Sequence, residues 1–413
     1  MVGHAPADVI YSNLQNIPIP STFDGVFVDV DGGLAPSTAT FNGWDINPFI
    51  GGKYLANSAA FQPARDGVDG IDTILKFNTG DTISSGLNFA TGRGGSLDHL
   101  GNAAGQFTPN KEGYLGFRLN DNYGWMRVVL GGATPVIKDW AYDTSGSSGS
   151  IVAGNVQQNA ADQPVTLNSA YGSFTLGSQI TGSNSVLKTG ANSATLTGTN
   201  DYSGTTTVSE GGLLVNGSIT GTGTVSVASG ATLGGTGGIA GAVTINDGIL
   251  SPGTSIQSLS SGALTFNGGT FEYEMNSSAV PSLAADFQRI DGRAQDTNLV
   301  LNGTVYLTLT DLASSPDAFA AGTTLTLINY AGKWNGGFFT YGTNTLENHE
   351  VFTAGRNTWQ INYGATTGGM NFASEYNFSG SFVTLTAIPE PGSLLAIGCL
   401  VGSGAFLRAR RRH

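Results

Sequence analysis

Few residues in this chain have the types and spacing that chemistry needs. Glu272 and Glu274 sit two apart in a strand-like run, so both face one side with roughly 6.6 Å between their backbones, a separation that inverting glycosidases also use. Two carboxylates on the solvent face of an acidic strand need no such explanation. Asp24, Asp29 and Asp31, followed by Gly32 and Gly33 in FDGVFVDVDGG, put oxygen ligands at alternate positions before a glycine turn, a pattern that suits calcium. The twelve-residue loop with a terminal Glu is missing, and Asp29 and Asp31 are the pair assigned to the ion. Asp66, Asp69 and Asp72 form a weaker set and read as acidic turns. Trp44, Trp125 and Trp140 offer rings on which a sugar can stack. His4, His99, His349 and His413 include no pair at metal-ligand spacing, which disfavours zinc. Gly92-Arg93-Gly94-Gly95 lacks the Lys-Ser/Thr ending of a phosphate loop, and no Gly-x-Ser-x-Gly stands with a plausible histidine. No catalytic site is expected, the chain is read as a non-enzyme, and calcium is the one cofactor the residues admit.

The elements that would position these groups follow from composition. Of 413 residues only 11% are charged, and 62 are glycine. Gly, Ser, Thr and Asn dominate and strong helix formers are scarce, so strands and turns are favoured throughout. An all-β protein is expected. The net charge of −12 excludes a basic footprint for a phosphate backbone, so no nucleic-acid partner is expected.

Beyond the strands, the last residues carry their own pattern. Gly392 to Leu407 is an uncharged span, with Leu394, Leu395, Ile397, Leu400, Val401, Phe406 and Leu407 as its apolar anchor, and Arg408, Arg410, Arg411 and Arg412 follow at once. As a helix it would be about 24 Å long, a little short of a hydrocarbon core of about 30 Å. The arginines form a cytoplasmic stop, which puts the preceding residues on the far side of the membrane. Pro389-Glu390-Pro391 stands before the span as a stiff extended tripeptide. Pro-Glu-Pro, a short glycine-containing apolar helix and an arginine cluster, in that order, resemble the PEP-CTERM sorting signal. The resemblance implies recognition and removal of the tail by an exosortase, a membrane transpeptidase, in bacteria that often make exopolysaccharide. The only cysteine, Cys399, lies inside the span, so the exported part has no disulfide. MVGHAPADVI has neither a charged n-region nor an apolar h-region, and export therefore implies a signal upstream of residue 1.

Two interleaved series run through the middle of the chain, Val208, Val227, Ile245 and Phe266, and Leu214, Leu233, Leu250 and Phe271. A repeat of about 20 residues with two short strands and glycine-rich turns predicts a β-solenoid, a right-handed β-helix with these aliphatic residues inside. The residues that open it, Leu187-Lys188-Thr189-Gly190, Ala194 through Val208, and Gly212-Leu213-Leu214-Val215-Asn216-Gly217, resemble the autotransporter-associated β-strand repeat. That resemblance implies a β-helical stem of a secreted protein. Earlier, Gly113–Leu119 and Tyr123–Val129 flank Asn120-Asp121-Asn122, which is hairpin chemistry. With Ile137–Tyr142 they resemble a β-sandwich module common in PEP-CTERM proteins, and Trp44, Trp125, Trp140 and Phe117 are its expected anchors.

The expected organisation is a β-sandwich over 1–160, a β-solenoid over 161–285, a β-rich cap over 286–387 that covers the last coil, and over 388–413 the sorting signal with its short transmembrane helix. The expected function is that of an exported cell-surface or extracellular-matrix protein, processed through its tail, structural or adhesive in an exopolysaccharide matrix. Its partners would be the exosortase, the membrane during export, and exopolysaccharide. Two other classes stay open: a carbohydrate-binding module using the tryptophans, and a polysaccharide-active enzyme on the β-helix using Glu272 and Glu274.

Overall fold

The computed structural model of the chain describes residues 8–92, 106–253, 256–278, 285–291, 297–372 and 381–389. The protein is all-β. Among the described residues the helical content is a single 3-10 turn, Gly146–Ser148, and no helix is long and apolar enough to cross a membrane. The chain divides into two compact units, Met1–Thr232 and Leu233–His413.

The first unit contains an antiparallel meander, Glu112–Leu119, Asn122–Val129 and Val136–Asp143. Its first hairpin closes over the two residues Asn120 and Asp121, as the Asn-Asp-Asn run predicts. Asn120 takes φ +54, a left-handed conformation that asparagine tolerates better than most side chains. Phe61–Arg65 pairs antiparallel with one edge of the meander and Asp8–Tyr11 with the other. Beneath lies a core of Val28, Ile46, Phe61, Phe117, Met126, Ile137 and Trp140 with their neighbours.

Asp8–Tyr11 has a second edge, which pairs parallel with Phe174–Leu176. From there the pairing is parallel. Val165 pairs with Val186, Val186 with Thr206 and Thr206 with Val225, so that each strand lies one repeat beyond its neighbour. A second ladder pairs Phe174 with Ala194 and Ala194 with Leu213. Alternate residues point inward, and Val186, Val208, Val225 and Val227 are buried. Two positions depart from simple alternation of apolar in and polar out. Lys188 points in and is fully buried, while Leu187 points out and is only partly covered. Leu214, expected inside, is also on the outer side, because Leu213 and Val215 are the buried pair. The run Gly212-Leu213-Leu214-Val215 is apolar at consecutive positions, so its composition leaves the phase of the alternation open, and the pairing of Ala194 with Leu213 sets it.

In the second unit Val243–Ile245 and Ile249–Pro252 pair parallel with the twelve-residue strand Leu264–Met275, and that strand pairs parallel with Thr297–Asp311. Leu233, Ile245, Leu250, Phe266, Phe271, Leu301 and Leu307 are buried. A second sheet stacks Gly238–Ile239, Ser258–Ser261, Phe287–Ile290 and Thr324–Tyr330 in parallel. It then changes sense: Ser381–Ile388 pairs antiparallel with Thr324–Tyr330 and with Asn357–Ala365, which pairs with Val351–Ala354.

Candidate functional site

The residues assigned to calcium come together with a third carboxylate. Val28 and Ile46 exchange backbone hydrogen bonds at 2.9 and 3.2 Å, and this bridge lays Asp29 beside Asp45. One oxygen each from Asp29, Asp31 and Asp45 lie within 4.8 Å of one another. Asp29 and Asp45 are buried and Asp31 is exposed. The buried pair is held by backbone donors. Asp29 accepts from the Gly32 and Leu34 N–H groups at 2.7 and 3.2 Å, and Asp45 accepts from the Val30 N–H at 2.8 Å. Burial pushes the Asp45 carboxyl up to about 6; the Val30 N–H opposes this, and the charges of Asp31 and Asp29 add to it. Three carboxylates at this spacing fit a hard cation, which would relieve that repulsion and complete its shell of six to eight oxygens with water.

Asp45 carried no local signal, since only the non-local bridge brings it to the other two. Asp24 stays out of the cluster and lines a cleft elsewhere in the unit. Asp66 and Asp72 serve their own loop, accepting from the Thr73 and Asp69 N–H groups at 2.9 and 2.7 Å. They behave as the acidic turns expected.

The three tryptophans part company. Trp125 is fully buried and donates to Asn155 Oδ1 at 3.3 Å, and Trp140, 7% exposed, donates to the Val30 carbonyl at 3.1 Å. Neither ring is open to a sugar. Trp44 is half-buried and stands edge-on to Phe27 with ring centroids 5.1 Å apart. It lines a cleft of about 760 Å³ together with Phe23, Phe27, Phe49 and Asn47.

In the second unit Glu272 and Glu274 are half-buried on the outer side of their strand, in register with Thr308 and Thr310. Behind them Asp286 is fully buried and accepts from the Gln257 and Glu274 N–H groups at 2.7 and 3.3 Å. Burial raises its carboxyl to about 8, with the charge of Glu274 adding to the shift. A neutral, buried Asp286 anchors backbone and has no solvent face for a substrate. Asn371 beside it donates to the carbonyls of Asp286 and Thr326, both at 2.9 Å.

Lys188 and Arg127, two of the buried cations among the described residues, also escaped sequence reading. The Lys188 ammonium donates to the carbonyls of Thr189, Gly190 and Glu210 at 3.0, 2.8 and 2.9 Å. Arg127 pairs with Asp139 in the first unit through two hydrogen bonds of 2.8 and 2.5 Å, and Tyr11 donates to the same carboxylate at 2.8 Å. Both are structural, because every acceptor is part of the fold itself.

Of the sorting motif, Pro389 directly follows the strand Ser381–Ile388. Glu390, Pro391, the apolar anchor and the four arginines lie outside the described residues. Compared with known proteins, the chain matches no family model and no curated sequence.

Proposed function

We propose that this chain is an exported bacterial cell-surface or extracellular-matrix protein, sorted through Pro389-Glu390-Pro391 and its short membrane helix, with a structural or adhesive role among exopolysaccharides. The observation that carries the reading is the junction at Ile388. The strand Ser381–Ile388 is paired on both edges, and the Pro-Glu-Pro motif begins at the next residue. The motif thus follows directly on a strand held at both edges, and its two prolines disfavour a helix where an enzyme at the membrane face would meet it.

The parallel ladders of single-repeat steps support a β-solenoid that begins in the first unit and is taken up again in the second. The antiparallel strands after Thr324–Tyr330 support a cap that ends it, and the meander with its own core supports a β-sandwich module at the start. Such a stem is suited to spacing and adhesion. Threonines beside Glu272 and Glu274 favour a passive outer face over a polysaccharide-cleaving groove. Calcium at Asp29, Asp31 and Asp45 would lock the loop between Val28 and Ile46.

The test is intact-mass measurement of the protein recovered from a host with an exosortase. The mature form should lack the residues from about Gly392 onward, and Glu390→Ala or deletion of the arginines should leave the full-length form in the membrane. An intact Arg412 on the mature surface protein overturns the sorting reading and makes the tail a permanent anchor.

A further inference from the structure

The cleft at Trp44 has a combination of groups that the stem does not need. Phe23 is 83% exposed, a large apolar ring left in water at the mouth of the cleft. Such exposure leaves a large apolar surface in water, which marks a binding surface more often than a packing need. Phe27 and Trp44, set at 78° to each other, form one wall. Exposed Thr38 and Thr40 put hydroxyls beside those rings. On the floor Asn47 is 5% exposed; its Nδ2 donates to the Asp24 carbonyl at 3.0 Å, while its Oδ1 is buried without a hydrogen-bond partner. A buried acceptor left without a donor is uncommon in a folded protein. The backbone yields to that side chain at Gly25, φ +64, where a Cβ would stand 2.0 Å from the Asn47 oxygen.

We infer that this cleft binds a neutral polysaccharide segment. Sugar rings have apolar C–H faces for Phe23 and Trp44 and hydroxyls that pair with those of Thr38 and Thr40, which is the mixture displayed here. The volume of about 760 Å³ lies within the range of about 300–1,000 Å³ common to ligand clefts. Among the described residues of the lining Asp24 is the one ionisable side chain, so an anionic glycan meets repulsion there while a neutral one does not. A purely apolar peptide would cover the threonine hydroxyls without giving them a partner. The site belongs wholly to the first unit and does not depend on the fate of the tail.

Affinity electrophoresis of the full-length chain in mild detergent tests this, with native gels containing hydroxyethylcellulose, laminarin or dextran, and alginate as the anionic control. At least one neutral polymer should retard the protein and alginate should not. Phe23→Ala and Trp44→Ala should each weaken retardation at least about fivefold. Because Trp44 also packs on Phe27, the fully surface-exposed change at Phe23 decides the matter if the Trp44 variant misfolds. No retardation by any of the three neutral polymers, equal retardation by alginate, or full retention of binding in Phe23→Ala overturns the inference.

Discussion

Asp45 is the residue on which the chemistry of the first unit turns. Its carboxyl is raised to about 6 in the folded chain against an ordinary value near 4, so the folded state prefers the protonated form. The stability linked to this group is therefore greatest below about pH 4 and falls as pH climbs to about 6, by up to about 2–3 kcal/mol. Without calcium, Asp45→Asn should remove this slope, and its advantage in melting temperature over the parent should grow between pH 4.5 and pH 7. An equal difference at both ends of that range would mean that Asp45 does not titrate there. Calcium needs the ionised form, so binding should run the other way and weaken about tenfold from pH 7 to pH 5. Calorimetric titration checks this, and Asp29→Ala and Asp31→Ala should abolish the heat. No binding at millimolar calcium would discard the site.

Elements in the parallel ladders have an inside and an outside that single substitutions separate. Leu233 is fully buried, whereas Leu214 is only partly covered. Leu233→Asp should cost several kcal/mol by burying an unpaired charge, and Leu214→Asp no more than about 1 kcal/mol. Urea unfolding of both variants distinguishes the two faces, and equal losses would place Leu214 inside after all. Lys188 makes a third case. Replacing it with Met keeps most of the stem but leaves the carbonyls of Thr189, Gly190 and Glu210 without that donor. A loss of about 3 kcal/mol is expected in the same measurement. A variant as stable as the parent would show that these carbonyls find water instead.

For the whole molecule, charge and covalent chemistry change together if the tail is cut. The net charge is −12, and the residues after Pro391 carry Arg408, Arg410, Arg411 and Arg412 with no acidic residue. Removal therefore brings the product to −16. The mature form should elute later on anion exchange than Glu390→Ala retained at full length and extracted in detergent. Cys399 leaves with the tail, so a reductant should not change the melting temperature of the mature protein, which then holds no disulfide. A drop on reduction would mean that the mature form still contains Cys399 in a bond to another chain.

Composition and periodicity by themselves determined the class of this protein. Glycine and β-formers in excess, with helix formers scarce, predict all-β, and the repeat of about 20 residues placed Val208, Val227, Leu233, Ile245 and Leu250 inside, where all are buried. These are local properties, written along the strand with period two. Tertiary structure decided whatever depended on a partner far along the chain. Asp45 joins Asp29 and Asp31 only through the bridge between Val28 and Ile46. Lys188 faces inward because Glu210, a full repeat away, supplies one of its acceptors. Leu214 turns outward because Leu213 takes the register opposite Ala194. Trp44, Trp125 and Trp140 are equivalent as letters, and only the packing of the first unit buries two of them and leaves the third in a cleft. Burial is set by what packs against a residue, and that neighbour is seldom near in sequence.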